Sequence, residues 1–122
     1  MASTATVDLS WARLNVVGFV KSDTFDLTID FVPSGSFDFT GAAGNMQLVN
    51  KSTNALVADL DTAGGEILFP TSDQIQIVVE DTVTALWPVC TLVGDIQVLF
   101  QDGTTRTLLY VEIKVEKPVT AV

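Results

Sequence analysis

Residues 91–115 read Thr-Leu-Val-Gly-Asp-Ile-Gln-Val-Leu-Phe-Gln-Asp-Gly-Thr-Thr-Arg-Thr-Leu-Leu-Tyr-Val-Glu-Ile-Lys-Val. Two apolar-rich runs flank Gln101-Asp102-Gly103-Thr104. Asp-Gly suits a hairpin, because both residues tolerate positive φ and primed turns match the twist of paired strands. Before the turn, Leu92, Ile96, Val98 and Phe100 share one face, and Asp95, Gln97 and Gln101 share the other. After it, Leu109, Val111, Ile113 and Val115 alternate with Tyr110, Glu112, Lys114 and Glu116. A period of two marks half-buried strands. The reading is a long antiparallel hairpin in the middle of a sheet.

The same period recurs upstream. Phe25, Leu27, Ile29 and Phe31 alternate with Asp26, Thr28 and Asp30, predicting a strand with an acidic, wet outer face. Pro33 ends it, having no N–H for a ladder. Phe37 and Phe39 sit in a loop and are expected to tuck under the sheet edge. Short strands are predicted over 45–50, 55–60, 66–69 and 74–80, divided by Lys51-Ser52-Thr53-Asn54, Gly64-Gly65 and Pro70-Thr71-Ser72-Asp73. Residues 81–86 suit one helical turn capped by Asp81, crossing between sheets and ended by Trp87-Pro88. Residues 14–20 form a first strand with apolar groups on both faces, so it is covered twice or lies at an interface.

With no long helical period, the expectation is an all-β, immunoglobulin-like antiparallel β-sandwich of seven to eight strands. Residues 1–13 read as an N-terminal arm, 14–117 as the sandwich domain and 118–122 as a C-terminal tail. A chain of 122 residues fits one domain with a core of its own.

Composition narrows the chemistry. Fifteen acidic against six basic residues give a net charge of −9. Such a surface repels nucleic acid and anionic lipid, so neither is an expected partner. No apolar run reaches the ~20 residues of a membrane helix. The first residues lack the basic and apolar regions of a signal peptide, so synthesis and folding are expected in a cytoplasm. Hydrophobic residues make up 48%, with a mean hydropathy of +0.41, which suggests apolar surface reserved for neighbours.

No residue set points to catalysis, a cofactor or a metal. Histidine, the usual general base and commonest metal ligand, is absent. Cys90 therefore has no imidazole to activate it, and as the single cysteine it makes no internal disulfide. Asp26 and Asp30 share a strand face but lie ~13 Å apart, too far for a shared metal or a glycosidase-like pair. Asp59, Asp61 and Glu66 around Gly64-Gly65 do not follow the EF-hand spacing. The glycine pair suits a turn needing positive φ.

The remaining candidates are apolar. Val17 and Phe19 lie opposite Val16 and Val20; Leu108 and Tyr110 lie opposite Leu109 and Val111. With Trp11 and Trp87 they form a set of candidate partner contacts, since interfaces favour aromatic residues at their centres. The alternative is that a loop or the arm of the same chain covers them.

The order of motifs carries a resemblance. Ser22-Asp23-Thr24-Phe25, Asp38-Phe39-Thr40-Gly41, Met46-Gln47-Leu48 and Gly64-Gly65-Glu66-Ile67 come first. Ile75-Gln76-Ile77, Thr82–Leu86, Asp102-Gly103-Thr104-Thr105-Arg106-Thr107-Leu108-Leu109 and Val119-Thr120 follow. Over roughly residues 20–120 the chain resembles the N-terminal immunoglobulin-like module of phage baseplate upper proteins and related virion proteins. The resemblance implies a non-enzymatic structural protein of a bacteriophage virion: a tail or baseplate adaptor, or a capsid decoration. Its implied partners are other virion proteins, either the major capsid protein or tail and baseplate proteins, and copies of itself. A receptor- or carbohydrate-binding module of a phage tail is the alternative. Trp11, Trp87 and Tyr110 are then the aromatic candidates for a sugar.

Overall fold

A computed structural model describes residues 2–7, 12–31 and 37–118. In chain order the elements are β1 (Ala2–Val7), β2 (Ala12–Val20), β3 (Phe25–Phe31), β4 (Ala43–Asn50), β5 (Leu56–Asp61), β6 (Ile67–Leu68), β7 (Gln74–Val79), α1 (Asp81–Thr84), β8 (Thr91–Leu99) and β9 (Thr105–Glu116). The strands form two sheets, one of four strands in the order β1-β3-β7-β6 and one of five in the order β2-β9-β8-β4-β5. This is an immunoglobulin-like β-sandwich dominated by antiparallel pairs. Both N-terminal strands join in parallel, β1 on β3 and β2 on β9.

The hairpin occupies the middle of the larger sheet, with β8 and β9 registered from Thr91↔Lys114 to Leu99↔Thr105. Its turn differs from the expected one. Gly103 has φ +90°, while Asp102 is not among the residues with positive φ. Phe100 N donates to Thr104 O at 2.8 Å, and Gly103 N to Phe100 O at 2.9 Å. Three residues therefore close the loop, with glycine in the left-handed position, a form in which aspartate need not leave its ordinary backbone region.

The alternating positions of β3, β7, β8 and β9 point between the sheets. Phe25, Leu27, Ile29 and Phe31 meet Ile75, Ile77 and Val79 on one side, and Leu92, Ile96, Val98, Leu109, Val111, Ile113 and Val115 on the other. Met46, Leu48, Leu60 and Ile67 complete the centre; Phe37 and Phe39 close one end as expected, both buried.

Two bulges explain apolar residues on the wrong face. On β9 the register steps from Ile96↔Leu109 to Gln97↔Thr107, leaving Leu108 as the extra residue. A bulge shifts the pleat by one, so Leu108 and Leu109 both turn inward, and both are buried. On β2 the register steps from Val16↔Ile113 to Phe19↔Val115. Val16 and Phe19 both pack on the core, while Gly18, at φ +75°, leaves Val17 outside.

Residues 2–7, within the expected arm, lie as the edge strand β1; residues 119–122 of the expected tail lie outside the described residues. α1 is the expected crossover between sheets, but Glu80 takes the N-cap position and makes no side-chain cap bond. Asp81 sits one residue inside, in the first turn. The anchor of this segment is Thr84, fully buried, whose hydroxyl donates to Asp23 O at 2.7 Å.

Gly94 sits where β8 lies close against β4. A Cβ there would run into the Gln47 carbonyl oxygen and press on Leu48 Cδ2 at 3.2 Å. Gly94→Ala is expected to lower the unfolding free energy by about 1–3 kcal/mol through overpacking. Chemical denaturation checks this; an unchanged midpoint would mean that β4 moves aside at no cost.

Candidate functional site

The six contact candidates separate by position. Val17 stands out from the β2 bulge, 75% exposed. Phe19 is half-buried, edge-on to Phe25 at 5.1 Å and tilted against Trp87 at 5.7 Å. Trp87, expected as a contact, is only 1% exposed: it plugs the core end where β2, β3 and the crossover meet. Its indole Nε1 is the one buried side-chain polar atom among the described residues with no hydrogen-bond partner. Leaving such a donor unpaired costs about 1–3 kcal/mol, offset by burial of the largest aromatic side chain. Leu108 is buried by the β9 bulge. Tyr110 is half-buried on the outer face, registered with Asp95 on one side and Arg13 on the other. Trp11 lies outside the described residues. Of these candidates Val17 is open to solvent, whereas Trp87 and Leu108 are buried.

The structure adds apolar groups not singled out from the sequence. Leu86 is 83% exposed, and Val83 and Val89 flank it on the crossover. Leu86 N donates to Val83 O within the same turn. The signal for them was available: an apolar residue three positions after Val83, with Trp87 alone needed for the core. Leu56 and Leu99 are further exposed apolar positions on the larger sheet.

The second feature lies at the β8–β9 turn. Phe37, Asp38, Thr40, Phe100, Gln101, Asp102, Thr104 and Arg106 line an open concavity of about 510 Å³. Its floor is aromatic. Phe100 stacks on Phe37 and Phe39 with centroids 6.1 and 5.8 Å away, and the Arg106 guanidinium lies 5.4 Å from the Phe37 centroid. Its rim is polar. Asp38 accepts from Thr40 N at 3.0 Å, and Asp102 accepts from Thr104 N at 3.0 Å and Thr104 Oγ1 at 2.7 Å. Hydrogen bonds from Thr40 hold the Asp38 carboxyl below its ordinary value, and those from Thr104 do the same for Asp102. Both are therefore acceptors at neutral pH, not proton donors.

The other acidic groups are engaged locally. Gln76 Nε2 donates to Asp26 at 3.0 Å and Gln74 Nε2 to Asp30 at 2.5 Å, so the outer face of β3 is half-buried and tied to β7 rather than freely solvated. In the glycine turn, Asp61 accepts from Gly64 N at 2.5 Å, Glu66 accepts from Asp61 N at 3.3 Å, and Gly65 has φ +86°. No group of three metal-ligating side chains comes together among the described residues. Burial pushes the Cys90 thiol up, away from the reactive thiolate.

No protein-family model matches the chain. No curated protein matches it in sequence. Among solved structures it is similar to the N-terminal domain of phage TP901-1 ORF48, with TM-score 0.51 and 14% identity over 94% of this chain and 99% of that one. It is also similar to CopC from Methylosinus trichosporium OB3b (TM-score 0.40, 13% identity, 65% of this chain and 67% of that one). Murine CRIg gives TM-score 0.38 and 10% identity over 86% and 92%. At these identities the likeness is one of fold. The phage domain shares it over nearly the whole of both chains.

The two turn carboxylates give a pH prediction. Their folded pKa lies below the unfolded value, so their contribution is complete above about pH 4 and is lost as pH falls through the folded pKa. The double variant Asp38→Asn, Asp102→Asn is expected to lose less stability than the parent between about pH 5 and pH 2. Thermal midpoints across that range test this; parallel curves would contradict it.

Proposed function

We propose that this chain is a non-enzymatic structural protein of a bacteriophage virion, joining or decorating other virion proteins as a tail or baseplate adaptor or a capsid decoration. The observation that carries the reading is the end-to-end likeness in fold to a domain of a phage protein. The surface supports it. Exposed apolar side chains at Val17, Leu86 and Val89 stand on an otherwise acidic molecule, arranged as contact groups rather than around a reaction centre. Such groups supply affinity by leaving water, while the −9 charge discourages contact with nucleic acid and anionic membranes. The virion is then its final location, reached after synthesis in the host cytoplasm.

A receptor- or carbohydrate-binding module is the second reading, and one observation favours it. The concavity at the β8–β9 turn pairs an aromatic floor with carboxylate, amide and guanidinium groups on its rim, the combination that binds polyols. Trp87, being buried, takes no part in it.

Two measurements separate the readings. Purified particles are expected to contain the chain, and particles lacking it are expected to take up added protein. The double variant Val17→Asp, Leu86→Asp should be retained at least ~10-fold less, a difference of about 1.4 kcal/mol, with its unfolding midpoint nearly unchanged. Absence from particles would overturn the virion reading. A glycan array with no ligand, or binding indifferent to Arg106→Ala, would overturn the second.

A further inference from the structure

Among the described residues, four strands end the two sheets: β1 and β6 in one, β2 and β5 in the other. An edge strand presents a row of unpaired N–H and C=O groups on which another strand can build, and proteins blunt such edges with bulges, charges, proline or shortness. Three of the four edges carry a device of this kind. β6 is only two residues long and runs into Phe69-Pro70. β2 is broken at Val17–Gly18. β5 slips register between Ala58 and Leu56 and carries Asp59 and Asp61.

β1 carries none. Ala-Ser-Thr-Ala-Thr-Val contains no charge, proline or glycine. Its register with β3 is unbroken from Ala2↔Asp26 to Val7↔Phe31. β3 is flanked by β1 and β7, so a new strand joins this side of the sheet only at the outer edge of β1.

We infer that the outer edge of β1, which pairs with no further strand among the described residues, is a seam for a second copy of this chain. β1 of one copy pairs antiparallel with β1 of the other across a two-fold axis, joining two four-stranded sheets into one. Naming this partner rests on the virion reading above for its purpose. The two fail separately, because the seam forms in purified protein and the virion reading is tested on particles.

Charge and sequence favour a second copy over a foreign strand. Each copy carries −9, so copies repel wherever acidic surfaces meet. Between Met1 and Ala12 the only charged side chain is Asp8, so the strand that would meet its copy carries no charge of its own, and Asp26 and Asp30 stand one strand further in. A two-fold contact also demands self-complementarity. Antiparallel β1 strands place small and β-branched residues opposite one another, with no like charges across the seam, and Thr–Thr and Thr–Ser neighbours are favourable cross-strand pairs. The same operation on β5 would bring Asp59 and Asp61 against their own copies.

Sedimentation equilibrium of the purified full chain under reducing conditions tests this. The mass is expected to rise with concentration from 13.1 kDa toward about twice that value, more readily at high salt, where repulsion is screened. Thr4→Lys should weaken dimerisation at least tenfold, whereas Leu56→Lys on the β5 edge should leave it intact. If Thr4→Lys fails to fold, Ala5→Cys on a Cys90→Ser background reads the seam directly, and oxidation should link two chains. A monomer at every concentration and salt, a dimer indifferent to Thr4→Lys, or one abolished only by Leu56→Lys would overturn the inference.

Discussion

The β8–β9 ladder is the constraint on which the larger sheet depends. It sets which face of each strand looks inward, it supplies β9 as the platform for β2, and it supplies β8 as the platform for β4. A one-residue slip in an ordinary ladder would turn every inward side chain to water. Here the ladder contains one deliberate slip, at Leu108. Without it, Thr105 and Thr107 would point into the core and Arg106 away from it. With it, the turn end of β9 is in the opposite phase, and Arg106 comes over the Phe37 ring. The concavity at the turn is thus a consequence of the same bulge that buries Leu108.

A second bulge does comparable work at the other end. β2 is an edge strand lying parallel to β9, and its kink at Val17–Gly18 lets Val16 and Phe19 both reach the core. Phe19, Phe25 and Trp87 then close that end as an aromatic plug. Val17, pushed outward by the same kink, stands in solvent where the plug residues do not. One local irregularity therefore separates what holds the chain together from what the chain displays.

Much of this was legible in the sequence, for a physical reason. Strict alternation in β3, β7 and the part of β9 from Leu109 onward is produced by burial of one face, so it reports strand and face together. Partner identity leaves no such trace. Nothing in Ala-Ser-Thr-Ala-Thr-Val names β3 as its neighbour or a parallel direction, and a small polar segment reads equally well as an arm. Leu108 and Trp87 were misplaced because period-two reasoning assumes an unbroken pleat and because a tryptophan beside proline fits an exposed loop as well as a core plug. The Leu108-Leu109 doublet was the mark of the bulge. The turn carboxylates were visible only as part of turn chemistry, since their hydrogen bonds depend on a loop closure that the residue types alone leave open.

The parallel seat of β2 on β9 has a consequence in time. Ala12 is registered with Leu109, nearly the whole length of the described chain away. During synthesis β2 emerges well before β9 and lacks its pairing strand until residue 116 has cleared the ribosome. Contacts this distant in sequence close slowly. In the interval its apolar side chains are open to other nascent chains, so production of this sandwich should favour cool growth and the shelter of a chaperone.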